Sequence, residues 1–398
     1  MNEFPAEKWV EIDLAAIAHN FYQVRQLLDA TTRILAVVKA DAYGHGASET
    51  ARTLEALGAD MLGVTSVAEG KSLRENGITI PILVFGPFLP EEAALIVEYD
   101  LTPSIAAHNQ IGWLRQALSE RNRTIKVHLK IETGMGRTGL LPEEAAAAAL
   151  EILSVPGMIP EGVYSHFAAA MGPDKTYTYK QYERFQTALQ ALEQAGVSGL
   201  IRHIANSAAI IDLPGMQLDM VRTGTLLYGQ FPSPRQEKSL SLQNTWQFRS
   251  RIIYLHDLPA GHSIGYGRTY KTTRPSRIAV IPVGFTDGLQ MEPLFKPAGF
   301  VDLAKGIAKQ ILYYLNHPLV TPAVTIPAEG RSRTARIVGK IGMQLTMVDV
   351  TGIPGIEIGT LVQAPIRRTA VSPAVPRLYL RGNSPRTGDG ISRADNPE

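Results

Sequence analysis

Apolar, β-branched runs recur along the first part of the chain at Ile34–Val38, Met61–Val67, Ile82–Phe85, Ile125–Ile131, Gly162–Phe167, Ile201–Ala205 and Leu218–Leu227. Runs of this length, closed by glycine and small polar residues, predict strands buried on both faces of a sheet. Between them the apolar period lengthens to that of a helix: Ala51, Leu54 and Leu57; Ile111, Leu114 and Leu118; Tyr182, Phe185, Leu189 and Leu192. Pro142-Glu143-Glu144 before an alanine run reads as a helix start with acids in its first turn. Seven or eight such strand–helix units over about 220 residues have the rhythm of a (β/α)8 barrel of the TIM type. A doubly wound open sheet is the alternative, but no dinucleotide-type glycine fingerprint follows the first strand.

The texture changes at Phe231-Pro232-Ser233-Pro234-Arg235-Gln236-Glu237-Lys238, a proline-broken polar stretch that reads as a linker or connection. Beyond it short β-rich runs follow at Phe248–Leu255, Ile278–Val283, Arg336–Ile341, Met347–Val350 and Leu361–Pro365, predicting an all-β domain. Val301–Leu315 interrupts them as an apolar, helical insertion. The expected organisation is a barrel over residues 10–238 and a β domain over 239–382, with residues 1–9 pairing with the latter. Residues 383–398, polar and rich in glycine, proline and charge, are expected to form a disordered tail.

Composition narrows the function classes. The 398 residues are 45 % hydrophobic and 19 % charged, with a formal net charge of +2, so nothing points to nucleic acid or to a membrane surface. There are no cysteines, which excludes disulfides, thiolate metal sites and cysteine nucleophiles. No metal site is expected. Neither a secretory-type start nor a membrane-length apolar run is present, and a cytoplasmic location is expected.

The candidate chemistry sits at the strand ends, the edge at which α/β barrels carry their sites. Lys39 closes the first run, ahead of Ala40-Asp41-Ala42-Tyr43-Gly44-His45-Gly46. Taken alone it reads as a side chain reaching for solvent; partly desolvated, it suits Schiff-base formation with a carbonyl cofactor. Lys130 and Arg137 bracket a glycine-rich turn, and an arginine there can fork onto an oxygen anion. His166 ends another strand. Ser207 stands where a helix N-cap would fall, a natural phosphate seat, and Arg222-Thr223-Gly224-Thr225 forms a small, amide-rich turn. A lysine after the first strand, with a phosphate seat built after the seventh and eighth, points to pyridoxal 5′-phosphate (PLP).

These motifs, with Gly265-Tyr266-Gly267-Arg268-Thr269-Tyr270, make the chain resemble the alanine racemases, PLP enzymes built of a barrel and a β domain. The resemblance implies that Lys39 holds the cofactor and acts as one acid/base group, and that Tyr266, from a second subunit, is the other. It further implies that Tyr43, Ser207, Gly224 and Thr225 seat the phosphate, and that Arg222 faces the pyridine nitrogen with His166 beside it. Arg137 would approach the phenolic oxygen of the cofactor ring and the substrate carboxylate, the second subunit's Met343 would lie near that carboxylate, and Lys130 matches a lysine that is carbamylated in many members. The expected enzyme is a homodimeric amino-acid racemase acting on alanine. The chain departs from the family pattern at Phe285, where a tyrosine is usual, at Gln344, where an aspartate is usual, and at Pro373 and Met171, which replace a tyrosine and an aspartate. A racemase of broader or different specificity, accepting serine or longer or basic amino acids, is therefore the first alternative. A PLP-dependent decarboxylase lacks its customary cysteine here, and a non-catalytic PLP-binding protein would not need both Lys39 and Tyr266.

Overall fold

The structure is a computed structural model describing residues 6–121, 123–236, 240–291, 297, 299–315, 317, 320–327 and 332–382. Its contacts divide the chain into two compact units, Leu14–Thr245 and Met1–Asp13 with Trp246–Glu398.

The first unit is an eight-stranded parallel sheet with helices in the crossovers. Its strands are β2 (Arg33–Val37), β3 (Met61–Val64), β4 (Ile82–Val84), β5 (Thr102–Ile105), β6 (Ile125–Lys130), β7 (Met158–Tyr164), β8 (Ile201–His203) and β9 (Met220–Thr223), after β1 (Lys8–Asp13) of the other unit. The strands run in the order β8-β7-β6-β5-β4-β3-β2-β9. The two ends meet where Asp219 N donates to Arg202 O (3.1 Å) and Arg222 N to Ala205 O (3.0 Å), closing the ring expected of a TIM-type barrel. Leu35, Val37, Met61, Leu83, Tyr164 and Met220 pack together inside it. Removing such a side chain down to alanine costs about 2–5 kcal/mol in a close-packed core. One strand, β5, is absent from the hydrophobic runs because Pro103 and Ser104 break its apolar pattern, although all four of its residues are buried. The proline-broken stretch at 231–236 is no free linker: it belongs to the barrel unit, and Gln236 is buried with its amide donating to Ala208 O (3.3 Å).

The second unit is a nine-stranded sheet, in which β1 pairs antiparallel with β10 (Trp246–Arg251) and parallel with β19 (Arg377–Leu380). Residues 10–13 belong here rather than with the barrel because Trp9, Val10 and Ile12 are buried within that sheet. A separate hairpin of β12 (Ser263–Ile264) and β13 (Tyr270–Lys271) pairs Ile264 with Tyr270 and carries Tyr266 in its turn. The insertion expected at 301–315 is a helix, Phe300–Tyr314, with none of its residues buried. The tail expected at 383–398 lies outside the described residues. Among the described residues no helix is long and apolar enough to cross a membrane, and no cluster of residues could hold a metal ion.

Candidate active site

At the carboxyl ends of the barrel strands lies a cavity of about 1070 Å³. Lys39, Tyr43, Lys130, Arg137, His166, Ser207, Arg222, Gly224 and Thr225 all line it, as does Met171, one of the departures from the family pattern. The sequence also left unnamed several walls: Thr65, Phe85, Tyr164 and the Phe231–Pro234 segment. Among the described residues, four cationic side chains therefore face one space and no carboxylate lines it. A cavity of that sign concentrates anions.

Lys39 follows β2 directly. The four residues after it, Ala40, Asp41, Ala42 and Tyr43, all have φ between 50° and 56°, a left-handed turn without a glycine. Such backbone costs roughly 1–2 kcal/mol per residue and persists only where its surroundings over-determine it. Here they do. Ala42 N donates to Val38 O (2.9 Å) and Gly46 N to Asp41 O (3.1 Å). The Asp41 carboxylate accepts from Ala47 N (2.8 Å). Glu69 accepts from Ala40 N (2.7 Å) with one oxygen and from Thr65 N (2.7 Å) with the other, pinning the turn to the end of β3. The left-handed path carries Tyr43 back into the cavity, its ring 4.9 Å from that of Tyr228. Burial raises the Tyr43 pKa, so the phenol stays a hydrogen-bond donor. Burial, with Arg137 adding repulsion, lowers that of Lys39.

Lys130 ends β6, with Nζ 3.3 Å from Phe85 O. Burial first, then Arg137 and Arg222, bring its pKa down to about 8. The turn beyond it is shaped by Glu132, whose carboxylate accepts from the amides of Met135 (2.6 Å) and Arg137 (3.2 Å). That turn sets Arg137 on the cavity wall.

Arg222 is almost fully buried in β9. Its Nη2 donates to Ser165 O (2.6 Å) and Ile204 O (3.1 Å), and lies 3.2 Å from His166 Nδ1. Nη1 donates to His203 O (3.1 Å) and Nδ1 (2.9 Å). None of these contacts uses Nε, and Arg222 lines the cavity. His166 is held well below the ordinary imidazole pKa by burial and then by Arg222, and so stays neutral.

Ser207 is not the helix cap. That role belongs to Asn206, whose side chain accepts from Ala209 N (3.2 Å). Ser207 Oγ is thereby free to accept from Gly224 N (3.1 Å), joining the turns after β8 and β9. A Cβ on Gly224 would lie 2.7 Å from the Tyr43 hydroxyl, so only glycine leaves this cradle open.

Tyr266 and Met343 belong to the second unit and are not in this cavity; they are 78 % and 64 % exposed. The departures Phe285 and Gln344 sit on two interlocked loops of that unit, joined by Phe285 N to Gly342 O (3.1 Å) and Thr286 Oγ1 to Met343 O (2.6 Å). Pro373 lies nearby in sequence to Arg377, which donates to its carbonyl (2.9 Å).

The alanine racemase N-terminal domain model matches residues 12–232, and the C-terminal domain model matches 245–309, ending within the inserted helix. Alanine racemase 1 of Caldanaerobacter subterraneus is 39 % identical over 351 residues, 88 % of this chain and 83 % of that protein. The alanine racemase of Desulfosudis oleivorans is 39 % identical over 369 residues, 90 % of this chain and 87 % of its own length. Among solved structures, alanine racemase of Clostridium difficile 630 matches with a TM-score of 0.83 at 30 % identity, covering 95 % of this chain and 97 % of that one. The Bacillus anthracis alanine racemase with bound L-Ala-P matches with a TM-score of 0.81 at 27 % identity, covering 95 % of this chain and 96 % of that one. The chain belongs to the alanine racemase family.

Proposed function

We propose that this protein is a PLP-dependent alanine racemase, and the observation that carries the reading is the cavity around Lys39, lined among the described residues by four cations and no carboxylate. Its donor set fits PLP. A primary amine with a lowered pKa is available to the carbonyl, and Arg222, whose Nη atoms are both engaged, would offer Nε to the ring nitrogen. The Gly224 cradle, with Tyr43, Ser207 and Thr225, offers hydroxyls to a phosphate. When bound, PLP supplies a conjugated ring that draws electron density from the α-carbon of an attached amino acid.

The chain's own groups then do the work. Arg222 has only donors, so it would hold the ring nitrogen unprotonated, which would limit how strongly the ring withdraws electrons. Arg137 holds the substrate carboxylate, with Met343 of a second subunit beside it. Lys39 Nζ moves the α-proton on one face, and the Tyr266 hydroxyl from that second subunit moves it on the other. Lys130, with a pKa near 8, has a substantial neutral fraction near physiological pH. Its neutral nitrogen can add to dissolved carbon dioxide with loss of a proton, giving a carbamate anion that would orient Arg137. The relatives are alanine racemases, which favours alanine over the broader substrate range raised by Phe285, Gln344, Pro373 and Met171.

The test is to incubate the purified protein with PLP and L-alanine and separate the products by chiral chromatography. Lys39→Ala and Tyr266→Phe are each expected to retain alanine binding and to lose at least roughly 100-fold in turnover. Near-normal turnover in either variant removes the two-base scheme.

A further inference from the structure

Behind Arg222 the barrel carries a line of buried polar side chains that the mechanism above leaves unused. Arg222 Nη1 is 2.9 Å from His203 Nδ1, His203 Nε2 is 2.9 Å from His128 Nδ1, and His128 Nε2 is 3.4 Å from Glu161 Oε2. Both imidazoles are fully buried. The Glu161 side chain keeps 15 % exposure, and its other oxygen meets Lys126 Nζ at 2.6 Å.

Chemistry fixes the direction of every link. A guanidinium has no acceptor, so His203 Nδ1 must accept and its proton must sit on Nε2. That proton points at His128 Nδ1, which must accept in turn, leaving the His128 proton on Nε2. The ionised carboxylate of Glu161 can only accept, so it ends the line. Burial lowers the pKa of both imidazoles and keeps them neutral. Burial would raise the Glu161 carboxyl, but hydrogen bonds from His128 and Lys126 outweigh it and bring its pKa to about 2.

The surroundings hold the rings in place. A Cβ at Gly162 would lie 2.5 Å from the His128 ring, and the β6–β7 register slips between Val127 and His128 to admit it. The His203 ring stacks on Tyr164 at 4.7 Å. Were His128 to take the other tautomer, its Nδ1 proton would turn His203 around and set two donors against each other at Arg222.

Resting on the role given to Arg222 above, we infer that Glu161 is its positioning residue. It accepts the His128 Nε2 proton that donation from Arg222 leaves at the far end of the line, so the Nε2–H tautomers leave no buried donor without an acceptor. Nη1 then always has an acceptor, and Nε remains the nitrogen left for a ligand in the cavity.

The experiment is 15N NMR of histidine-labelled full-length protein, with and without PLP, assigned through His128→Asn and His203→Asn. Both imidazoles are expected as neutral Nε2–H forms from about pH 6 to about pH 9. Glu161→Leu, similar in bulk but without an acceptor, is expected to give mixed tautomers. With it kcat for alanine should fall roughly tenfold while KM stays within about twofold, since Arg222 serves the ring and not the substrate. Glu161→Gln, which keeps an acceptor oxygen, is expected to restore both. Nδ1–H or exchanging imidazoles in the unmodified protein overturn the inference, as do unchanged tautomers in Glu161→Leu or a Gln variant as impaired as Leu. The tautomers are read without PLP too, so failure of PLP to bind would remove the proposed function and leave this test standing.

Discussion

Gly224 shows how much of the cavity depends on single atoms. A methyl group there meets the Tyr43 hydroxyl at 2.7 Å, against a ring already held by Tyr228. Gly224→Ala is therefore expected to displace Tyr43 and weaken PLP binding about tenfold with little loss of fold stability, read by titrating the visible absorbance of bound cofactor. Lys130 makes a second prediction at this scale. Its pKa is lowered from 10.5 to about 8, so between those values the unfolded chain binds more protons and stability rises with pH. Carbamylation would abolish that slope, because the modified nitrogen no longer titrates there. Protein kept in 13C-bicarbonate should show a carbamate carbon signal that is missing from Lys130→Arg; identical spectra would dismiss the modification. Lys39, Arg137 and Arg222 were legible in the sequence because each stands among glycines or small residues at the end of an apolar run. His128 and Glu161 were not. They lie within strands: the inward alternation of His128 with Lys130 hints only at the first, and Glu161 is the residue that the β6–β7 register skips. Ser207 was read correctly as a cavity residue and wrongly as a cap, since two adjacent residues could each fill that position.

Among the elements, the left-handed turn at residues 40–43 is the one no pattern announced. Its residues are alanine, aspartate and tyrosine, none of which signals positive φ as glycine would. Hydrogen bonds accepted by Glu69 from Ala40 N and by Val38 O from Ala42 N impose it. Ala40 is exposed, with φ 51°, so glycine there relieves backbone strain without removing a packed methyl. Ala40→Gly should raise stability by about 0.5–1 kcal/mol, seen as a higher urea midpoint at unchanged slope. A lower midpoint would mean that the turn is not strained at this position. The barrel strands were legible wherever both faces are apolar. β5 was not, because its burial is shared by a threonine, a proline and a serine whose hydroxyl is spent on Val84 O (2.6 Å) and Tyr164.

For the whole molecule, the division into a barrel and a β unit followed from the change of texture near residue 231, although the crossing falls later, at 245, and β1 is taken into the second sheet. The proposed assembly makes a quantitative prediction. Equal amounts of Lys39→Ala and Tyr266→Phe chains, mixed and allowed to exchange, should recover about a quarter of the active sites, since half of the pairs are hybrids with one intact site each. No recovery would mean that each chain completes its own site.

Tyr266 stands on a five-residue turn, 78 % exposed and outside the unit that holds Lys39. On the proposed reading that turn makes the protein a co-substrate of its own activation. Turnover per chain should fall on dilution as dimers separate. Adding Lys39→Ala chains, inert by themselves, should then raise the rate of dilute wild-type protein, because a chain that cannot react still has a tyrosine to lend.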